Sequence, residues 1–175
     1  MGLPCCLALS RLFAYPQTSL VEDLQTARNG LRQAGLHQAE EHLQPFAGDL
    51  TMRSLHELQE RYTQTFDLTG DTTLELGWHL FGEQYARGIY LSKLRGMLAD
   101  HHIDEVGCLP DHLIHALHLL ELLPDDAAAD FMAACVQPAC TTLRTNLEKL
   151  QSPYIFPLDA FASICTATPV ARAAS

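Results

Sequence analysis

Three histidines recur at every third position of the sequence, at residues 112, 115 and 118, directly after Asp111. Histidine and carboxylate side chains bind metal ions, so this spacing could indicate a metal site. On a helix, however, steps of three residues turn about 60° backwards, and the outer two histidines point about 120° apart. His112 and His115 could still share one ion. Alternatively, the histidines could reduce the charge of an acidic surface, so that affinity for a partner changes near pH 6.5.

A second group combines His79, Glu83 and Arg87, which are four residues apart and would lie along one stripe of a helix. As an ion pair, Glu83 precedes Arg87 in the favourable order, which is worth about 0.3–0.5 kcal/mol at an exposed position. As a metal site, His79 and Glu83 would supply two ligands without an evident third. As a catalytic site, the group would need a nucleophile, and the sequence shows neither a serine elbow nor an activated cysteine. The structural interpretation is favoured.

The remaining motifs give little support to an enzyme. No glycine-rich loop of the Walker or dinucleotide-binding type is present. The six cysteines, at positions 5, 6, 108, 135, 140 and 165, form no CxxC pair, so we expect reduced thiols rather than zinc or redox ligands. We therefore expect a protein that binds a partner and catalyses no reaction.

The charge balance indicates the kind of partner. The chain has a net charge of -10 and only 11 Lys and Arg residues, which argues against nucleic acid because phosphate binding draws on clustered cations. No Lys or Arg occurs between Arg95 and Arg144, where the acidic residues are concentrated. Such a run is either a solvated surface or an electrostatic docking surface for a cationic peptide. The acids in this run are Asp100, Asp104, Glu105, Asp111, Glu121, Asp125, Asp126 and Asp130.

The elements that position these residues are predicted to be helices. Apolar residues recur at helical spacing, and no alternating stretch rich in Val, Ile and Thr predicts a strand. With 47% hydrophobic residues, the 175-residue chain can bury a core of its own. We expect an all-α fold, a single compact bundle of about seven to nine helices over residues 1–175, with a frayed tail from about residue 166. No apolar run approaches the roughly 20 residues of a membrane span, and the first six residues lack the features of a secretory signal, so we expect a cytoplasmic protein.

Short segments rich in Pro, Gly, Asp and Thr separate the predicted helices. Capping boxes are expected at Ser19–Glu22 and at Ser54–Glu57. One helix is expected to halt near Pro45, and another to carry Pro110 in its first turn. Four glycines within residues 73–100 predict either a close backbone contact or a break into two helices. The expected helices cover about residues 5–15, 19–35, 36–43, 54–66, 73–100, 110–122, 125–150 with Pro138 as a candidate kink, and 158–165.

Four separated segments form an ordered set of motifs. They are SRLF followed by YP at residues 10–16, YxxxFD at 62–67, HxxGExxxRG at 79–88 and LPDHL at 109–113. In order and spacing, the set resembles the NarJ-like delta-subunit chaperones of nitrate reductase, within the TorD-like superfamily, over about residues 10–123. The resemblance implies an all-helical chaperone without a cofactor. It implies that the chaperone binds the basic N-terminal segment of a molybdoenzyme catalytic subunit while molybdenum cofactor and iron–sulfur cluster are inserted, before membrane docking or export.

The resemblance also implies roles for individual residues. Tyr62 and Phe66 are expected to line an apolar wall, with core packing as the alternative. Arg87 is expected to pair with Glu83 or with an acid of the LPDHL segment. The candidate peptide-binding residues, whose acids would meet peptide cations, are Tyr62, Phe66, Asp67, His79, Glu83, Arg87, Asp104, Glu105, Asp111 and His112. The candidate structural residues are Gly82 and Gly88, which would permit close approach of a loop, and Leu109 and Pro110, which would begin the next helix with His112 tying it back.

The expected partner is complementary to this chain in charge and shape. A basic, amphipathic N-terminal peptide would suit an acidic helical protein with an apolar groove. The client could be nitrate reductase or a related molybdoenzyme, and the sequence does not choose among them. The alternative function is a metal-binding regulatory or accessory subunit of a redox complex, which would use the region of His112 and His115.

Overall fold

The computed structural model describes residues 3–105 and 107–167. Within them, the chain forms ten α-helical segments. These are α1 (Cys6–Ser10), α2 (Leu20–Gln33), α3 (His37–Thr51), α4 (Leu55–Tyr62), α5 (Leu76–Phe81), α6 (Tyr85–Asp100), α7 (Leu113–Leu122), α8 (Asp125–Phe131), α9 (Gln137–Lys149) and α10 (Ile155–Ala167). A π-helical turn, Met132–Val136, joins α8 to α9 without interruption, so the ten segments make nine separate helices.

The predicted all-α fold is confirmed for the described residues, which contain no β-strand and only one isolated bridge, between Glu75 and His112. The buried apolar side chains form one contiguous cluster that extends from Leu3 to Ile164. Helix α3 packs against α10 and α2, and α1 packs against α7, so elements distant in sequence share this core. In the described ranges, no helix has the length and apolar character needed to cross a membrane.

Helix α3 continues through Pro45, so the expected halt near that residue is wrong. A proline inside a helix costs about 3 kcal/mol, because it removes one hydrogen bond and crowds the preceding turn. The burial of Leu43, Phe46 and Leu50 on the face that meets α10 and α2 offsets this cost. Tertiary packing therefore overrides the local signal of the proline.

The region 73–100 is not one long helix. The alternative of a break into two helices is confirmed: α5 ends at Phe81, and α6 begins at Tyr85. Gly82 ends α5 with a φ of 57°, in the left-handed region that favours glycine. His79 therefore lies on a different helix from Arg87, and the predicted shared stripe of His79, Glu83 and Arg87 is wrong.

Helix α2 begins directly after Ser19 as predicted, but one predicted capping box and one predicted helix start are wrong. Ser54 and Glu57 form the predicted capping box at the start of α4. By contrast, the hydroxyl of Ser19 donates to Asp23 and makes no capping bond, so the first predicted box is wrong. Helix α7 begins at Leu113 rather than at Pro110, because the intervening residues pair with residues 74–76 instead of turning into a helix.

The predicted helix over residues 125–150 is present as the continuous run of α8, the π-helical turn and α9 over residues 125–149. Pro138, the candidate kink, lies at the second residue of α9, directly after the π-helical turn, which is the irregularity expected where a residue without an N–H interrupts the hydrogen-bond ladder. Helix α10 is longer than expected and includes residues 166 and 167 of the predicted tail. The rest of that tail lies outside the described residues.

Candidate functional site

A buried polar cluster joins two of the four motifs; we call it the Asp111 cluster and define it by Glu75, Gly77, Arg87 and Asp111. The side chain of Asp111 has no exposed surface. Its Oδ2 atom accepts hydrogen bonds from the backbone N–H of Gly77 at 3.1 Å and from Nε of Arg87 at 3.3 Å. Arg87 also donates from Nη2 to the Glu75 carboxylate at 2.6 Å. The predicted pairing of Arg87 with an acid of the LPDHL segment is therefore confirmed, and Glu83 is not its partner.

Backbone hydrogen bonds hold the same two segments together. The N–H of Leu76 donates to the carbonyl of Asp111, and the N–H of Leu113 donates to the carbonyl of Leu74, each at 2.8 Å. A Cβ atom on Gly77 would lie only 2.5 Å from Oδ2 of Asp111, so only glycine fits at this crossing. Segment 74–77 and segment 111–113 consequently form one rigid unit, although 34 residues separate Gly77 from Asp111 in the chain.

Burial governs the electrostatics of the cluster. It raises the pKa of Asp111, and the neighbouring Arg87 opposes this shift only in part. Burial also lowers the pKa of Arg87, but the carboxylates of Asp111 and Glu75 outweigh that effect and raise it. The guanidinium of Arg87 lies 5.6 Å from the centre of the Trp78 ring, within the range of a cation–π contact. The cluster thus connects a buried ion pair to an aromatic residue at the edge of a cavity.

Beside this cluster lies a cleft of about 980 Å³, which we call the aromatic cleft and define by Tyr15, Tyr62, Phe66 and Trp78. Tyr62 meets Tyr15 and Phe66 edge to face, with ring centres 5.4 and 4.9 Å apart. The Tyr62 hydroxyl donates to the carbonyl of Phe13, which fixes the ring. Such edge-to-face arrangements are favourable for aromatic pairs, so the wall is preformed.

One wall of the aromatic cleft is formed by the end of α4 and the π-helical turn Thr63–Asp67 that follows it. A hydrogen bond from the Thr72 hydroxyl to the carbonyl of Thr65 ties this turn to the next loop. π-Helical turns are rare and often occur at functional sites, because they displace side chains from the regular helical positions. Here the turn leaves Phe66 buried and places Asp67 at the surface.

The lining of the aromatic cleft is apolar and acidic. Asp67 and Glu75 contribute carboxylates, and no Lys or Arg is among the described residues that line it. Leu68 also lines the cleft, with 70% of its surface exposed. A cavity of this size accommodates several side chains, and its charge favours a cationic, apolar ligand.

The predicted peptide-binding residues fall into three groups. Tyr62, Phe66, Asp67 and His112 line the aromatic cleft, as does the predicted structural residue Leu109. Asp111 and Arg87 lie behind it in the Asp111 cluster, and the ring of His79 is bonded to the carbonyl of Thr73. The remaining predicted residues are exposed and outside the lining: Glu83, Asp104, and Glu105, which pairs with Arg95 at 2.8 Å.

The glycines differ from the prediction. A Cβ atom on Gly82 or Gly88 would meet nothing within 4 Å among the described residues, so neither glycine permits a close approach. Gly82 is instead required by its positive φ. The glycines that permit a close approach are Gly77, which packs against Asp111, and Gly70, where a Cβ atom would lie 2.9 Å from Nε1 of Trp78.

The two histidines of the suggested metal site, His112 and His115, each have a ring nitrogen in contact with another protein group. Nδ1 of His112 accepts the N–H of Ile114 and caps α7, and Nε2 of His115 lies 3.2 Å from Sγ of Cys108. Among the described residues, no three His, Cys, Asp or Glu side chains are grouped so that they could hold a metal ion. Burial and the neighbouring His115 lower the pKa of His112 to about 4, so the expected titration near pH 6.5 does not apply to this residue.

The sequence-based reasoning missed several lining residues. Trp78 and Leu68 were not among the predicted site residues, and neither were Tyr15 and Ile114. Two signals were available: Trp78 is the only tryptophan in the chain, and Leu68 is an apolar residue in a loop rich in Thr, Gly and Asp. The position of Tyr15 depends on its ring contact with Tyr62, which is a tertiary feature.

Fold and cleft together define an all-α protein with an open aromatic and acidic binding cleft. The sequence model of the nitrate reductase delta subunit family matches residues 21–160, which is most of the chain. The protein therefore belongs to the nitrate reductase delta subunit family, and the resemblance drawn from the four motifs is confirmed. Proteins of this family are chaperones of molybdoenzyme assembly and not catalytic components. No curated protein matches the chain.

Proposed function

We propose that this protein is a cytoplasmic chaperone, without catalytic activity, that binds the N-terminal segment of a molybdoenzyme catalytic subunit in the aromatic cleft. It holds the segment while molybdenum cofactor and iron–sulfur cluster are inserted and before membrane docking or export. The client is nitrate reductase or a related enzyme. The observation that carries the proposal is the aromatic cleft itself, which is open, apolar and free of cations among its described lining residues.

The chemistry of the cleft supports a basic, amphipathic peptide. Apolar side chains of the peptide would pack against Tyr15 and Leu68, where exposed apolar surface is available. Lys or Arg side chains would meet Asp67, whose carboxylate is exposed at the rim. Long-range attraction by the net charge of -10 would accelerate the encounter.

The Asp111 cluster supports the peptide site without contacting the peptide. It fixes the positions of Glu75, Trp78 and His112, all of which line the cleft. Binding then requires little reorganisation of the protein, and preformed sites lose less free energy on binding than flexible ones. Buried hydrogen bonds and ion pairs would therefore maintain the shape of the cleft wall before the peptide binds.

The test is a titration with the N-terminal peptide of the molybdoenzyme catalytic subunit from the same organism. Trp78, the only tryptophan, lines the cleft, so its fluorescence reports occupancy. We expect saturable binding that weakens as salt screens the charges. The variant Leu68→Ser should weaken binding about tenfold, which corresponds to about 1.4 kcal/mol of lost apolar burial.

The matched control is Leu122→Ser, because Leu122 is also exposed and does not line the aromatic cleft. It should bind the peptide as the unmodified protein does. Equal affinities of the Leu68→Ser and Leu122→Ser variants, or the absence of any salt dependence, would place the peptide elsewhere.

A further inference from the structure

A second cleft, of about 770 Å³, lies on the other side of the wall that bounds the aromatic cleft. We call it the arginine cleft and define it by Asp49, Arg53, Arg61, Met52, Leu150 and Ser152. It is formed by the end of α3, by α4 and by the turn between α9 and α10. The function proposed above makes no use of this cleft.

The two clefts share one wall. Along the end of α4 and the π-helical turn, Arg61 and Thr65 line the arginine cleft, whereas Tyr62, Phe66 and Asp67 line the aromatic cleft. Neighbouring residues of one short segment therefore face two different cavities. The side chains that face them also differ in charge, with a carboxylate on one side and a guanidinium on the other.

The charge of the arginine cleft is opposite to that of the whole chain. Two guanidinium groups share one carboxylate: Nη1 of Arg61 lies 2.7 Å from both oxygens of Asp49, and Nε of Arg53 lies 3.1 Å from one of them. The described lining has no other acid and no other base, so it carries one excess positive charge in a chain with a net charge of -10. The terminal nitrogens of Arg53 make no hydrogen bond to any described residue, and these donors suit a carboxylate.

The rim of the arginine cleft is apolar and exposed. Met52 has 84% of its surface exposed and Leu150 has 54%, which are high values for large apolar residues. The hydroxyl of Ser152, in contrast, is buried and has no hydrogen-bond partner among the described residues. An unpartnered buried hydroxyl costs about 1–3 kcal/mol, so a ligand that supplied a partner would be favoured. Exposed apolar side chains beside unsatisfied donors are typical of a binding surface.

We infer that the arginine cleft is a second protein-binding site, which takes an acidic and apolar peptide segment of a partner protein. A carboxylate of the segment binds the guanidinium groups of Arg53 and Arg61, and an apolar side chain packs between Met52 and Leu150. The inference stands independently of the peptide site in the aromatic cleft. It gives the protein two peptide sites of opposite charge preference on the two sides of one helical wall.

Calorimetric titration with a designed probe tests this inference. The probe is a capped peptide, Leu-Glu-Asp-Leu-Phe-Asp-Glu-Leu, and its matched control carries Gln for each Glu and Asn for each Asp. We expect the acidic probe to bind and the neutral probe to bind at least about tenfold more weakly, because the guanidinium groups pair with carboxylates. Equal binding of the two probes would overturn the proposed charge recognition, and no heat with the acidic probe would overturn the site.

Two variants locate the site. Met52→Ser removes exposed apolar surface, and Arg53→Gln removes a cation that is already partly exposed, so both should fold. Each should weaken the acidic probe about fivefold to tenfold. The matched controls are Leu122→Ser and Arg95→Gln, which change an exposed apolar residue and an exposed cation elsewhere. If the control variants weaken binding equally, the probe binds by general charge attraction and the inference fails.

Two further measurements separate this inference from its alternatives. Binding of the basic N-terminal peptide, followed by Trp78 fluorescence, should be unchanged in Met52→Ser and Arg53→Gln; a loss there would show that the two clefts are one site. Sedimentation at increasing protein concentration tests for self-association through the arginine cleft. We expect no self-association that depends on Arg53, so the unmodified protein and Arg53→Gln should sediment alike. Such self-association would mean that a second copy of this acidic chain occupies the cleft, which would overturn the inference of a different partner. Failure of the basic peptide to bind would reject the proposed function and leave the acidic probe's result intact.

Discussion

The Asp111 cluster and the aromatic cleft are neighbours that share residues, but they differ in exposure. In the Asp111 cluster, Arg87 and the N–H of Gly77 are bonded to carboxylates inside the protein. In the aromatic cleft, the apolar and acidic groups of Leu68 and Asp67 face solvent. The motif residues therefore have two roles. The buried residues maintain the shape of the site, and the exposed residues are available to a partner. Changes in the first kind should reduce stability, and changes in the second kind should reduce affinity.

The largest effect is expected for Asp111→Ala. This change leaves the N–H of Gly77 without its acceptor and Arg87 with Glu75 as its remaining carboxylate, and breaking a buried ion pair costs roughly 3–5 kcal/mol. Urea unfolding should show this loss of the free energy of unfolding. The control Asp130→Ala, at an exposed position, should change it by less than about 0.5 kcal/mol. Equal stabilities of the two variants would show that the Asp111 cluster does not hold the fold.

The next effect is the overpacking caused by Gly77→Ala. The added Cβ atom would lie 2.5 Å from Oδ2 of Asp111 and 3.0 Å from the ring of Tyr90, so backbone or side chains must shift. We expect a loss of roughly 2–3 kcal/mol in thermal or urea unfolding. The control is Gly96→Ala, because Gly96 lies inside α6 with open space around it. That variant should gain about 0.5–1 kcal/mol from helix propensity, and the opposite signs of the two changes are the informative result.

Much of the fold could be predicted from the sequence because its signals are local. The capping box at Ser54 and Glu57 and the apolar spacing of α4 lie within a few residues of each other, and the structure contains both. The continuation of α3 through Pro45 could not be predicted, since it depends on packing against α10, more than 100 residues later in the chain. Local rules identify helices, whereas long-range packing decides where some of them end.

The division of the site into buried and exposed residues was not predictable from the motifs. Asp67 and Asp111 are both acids in recognisable segments, yet one is exposed and the other has no exposed surface. The difference arises when the segment of Gly77 crosses that of Asp111 and buries the carboxylate. Residue types gave the correct chemistry for Arg87, an ion pair with the LPDHL segment. They could not show that this pair lies behind the cleft rather than in it.

A smaller effect is expected in the pH dependence of the free energy of unfolding, through His112. Folded His112 has a pKa of about 4, and an unfolded histidine has a pKa of about 6.5. Between these values the unfolded chain binds a proton that the folded chain does not, so stability falls as pH decreases from 6.5 towards 4. The variant His112→Asn keeps an acceptor for the N–H of Ile114 and cannot titrate.

Thermal unfolding at a series of pH values measures this difference. Near pH 7 the protein and His112→Asn should have similar stabilities. By pH 4.5 the protein with His112 should have lost about 1–3 kcal/mol more than the variant. Parallel curves for the two proteins would contradict the neutral His112 cap. The comparison of the two curves cancels contributions of other groups, including Asp111, whose raised pKa acts in the opposite direction over part of this range.

The smallest effect is expected for Asp67→Asn, and it should appear in affinity alone. Asp67 is exposed and lines the aromatic cleft, so neutralising it should change the free energy of unfolding by less than about 0.5 kcal/mol. At low salt, the basic N-terminal peptide should bind about threefold more weakly, because an exposed charge pair contributes about 0.2–1 kcal/mol. At high salt, screening should remove the difference. The control variant Asp130→Asn has the same net charge as Asp67→Asn. If Asp67 acts locally, only Asp67→Asn lowers the affinity for the peptide. An equal loss of affinity in both variants would mean that the peptide responds to the total charge of the protein.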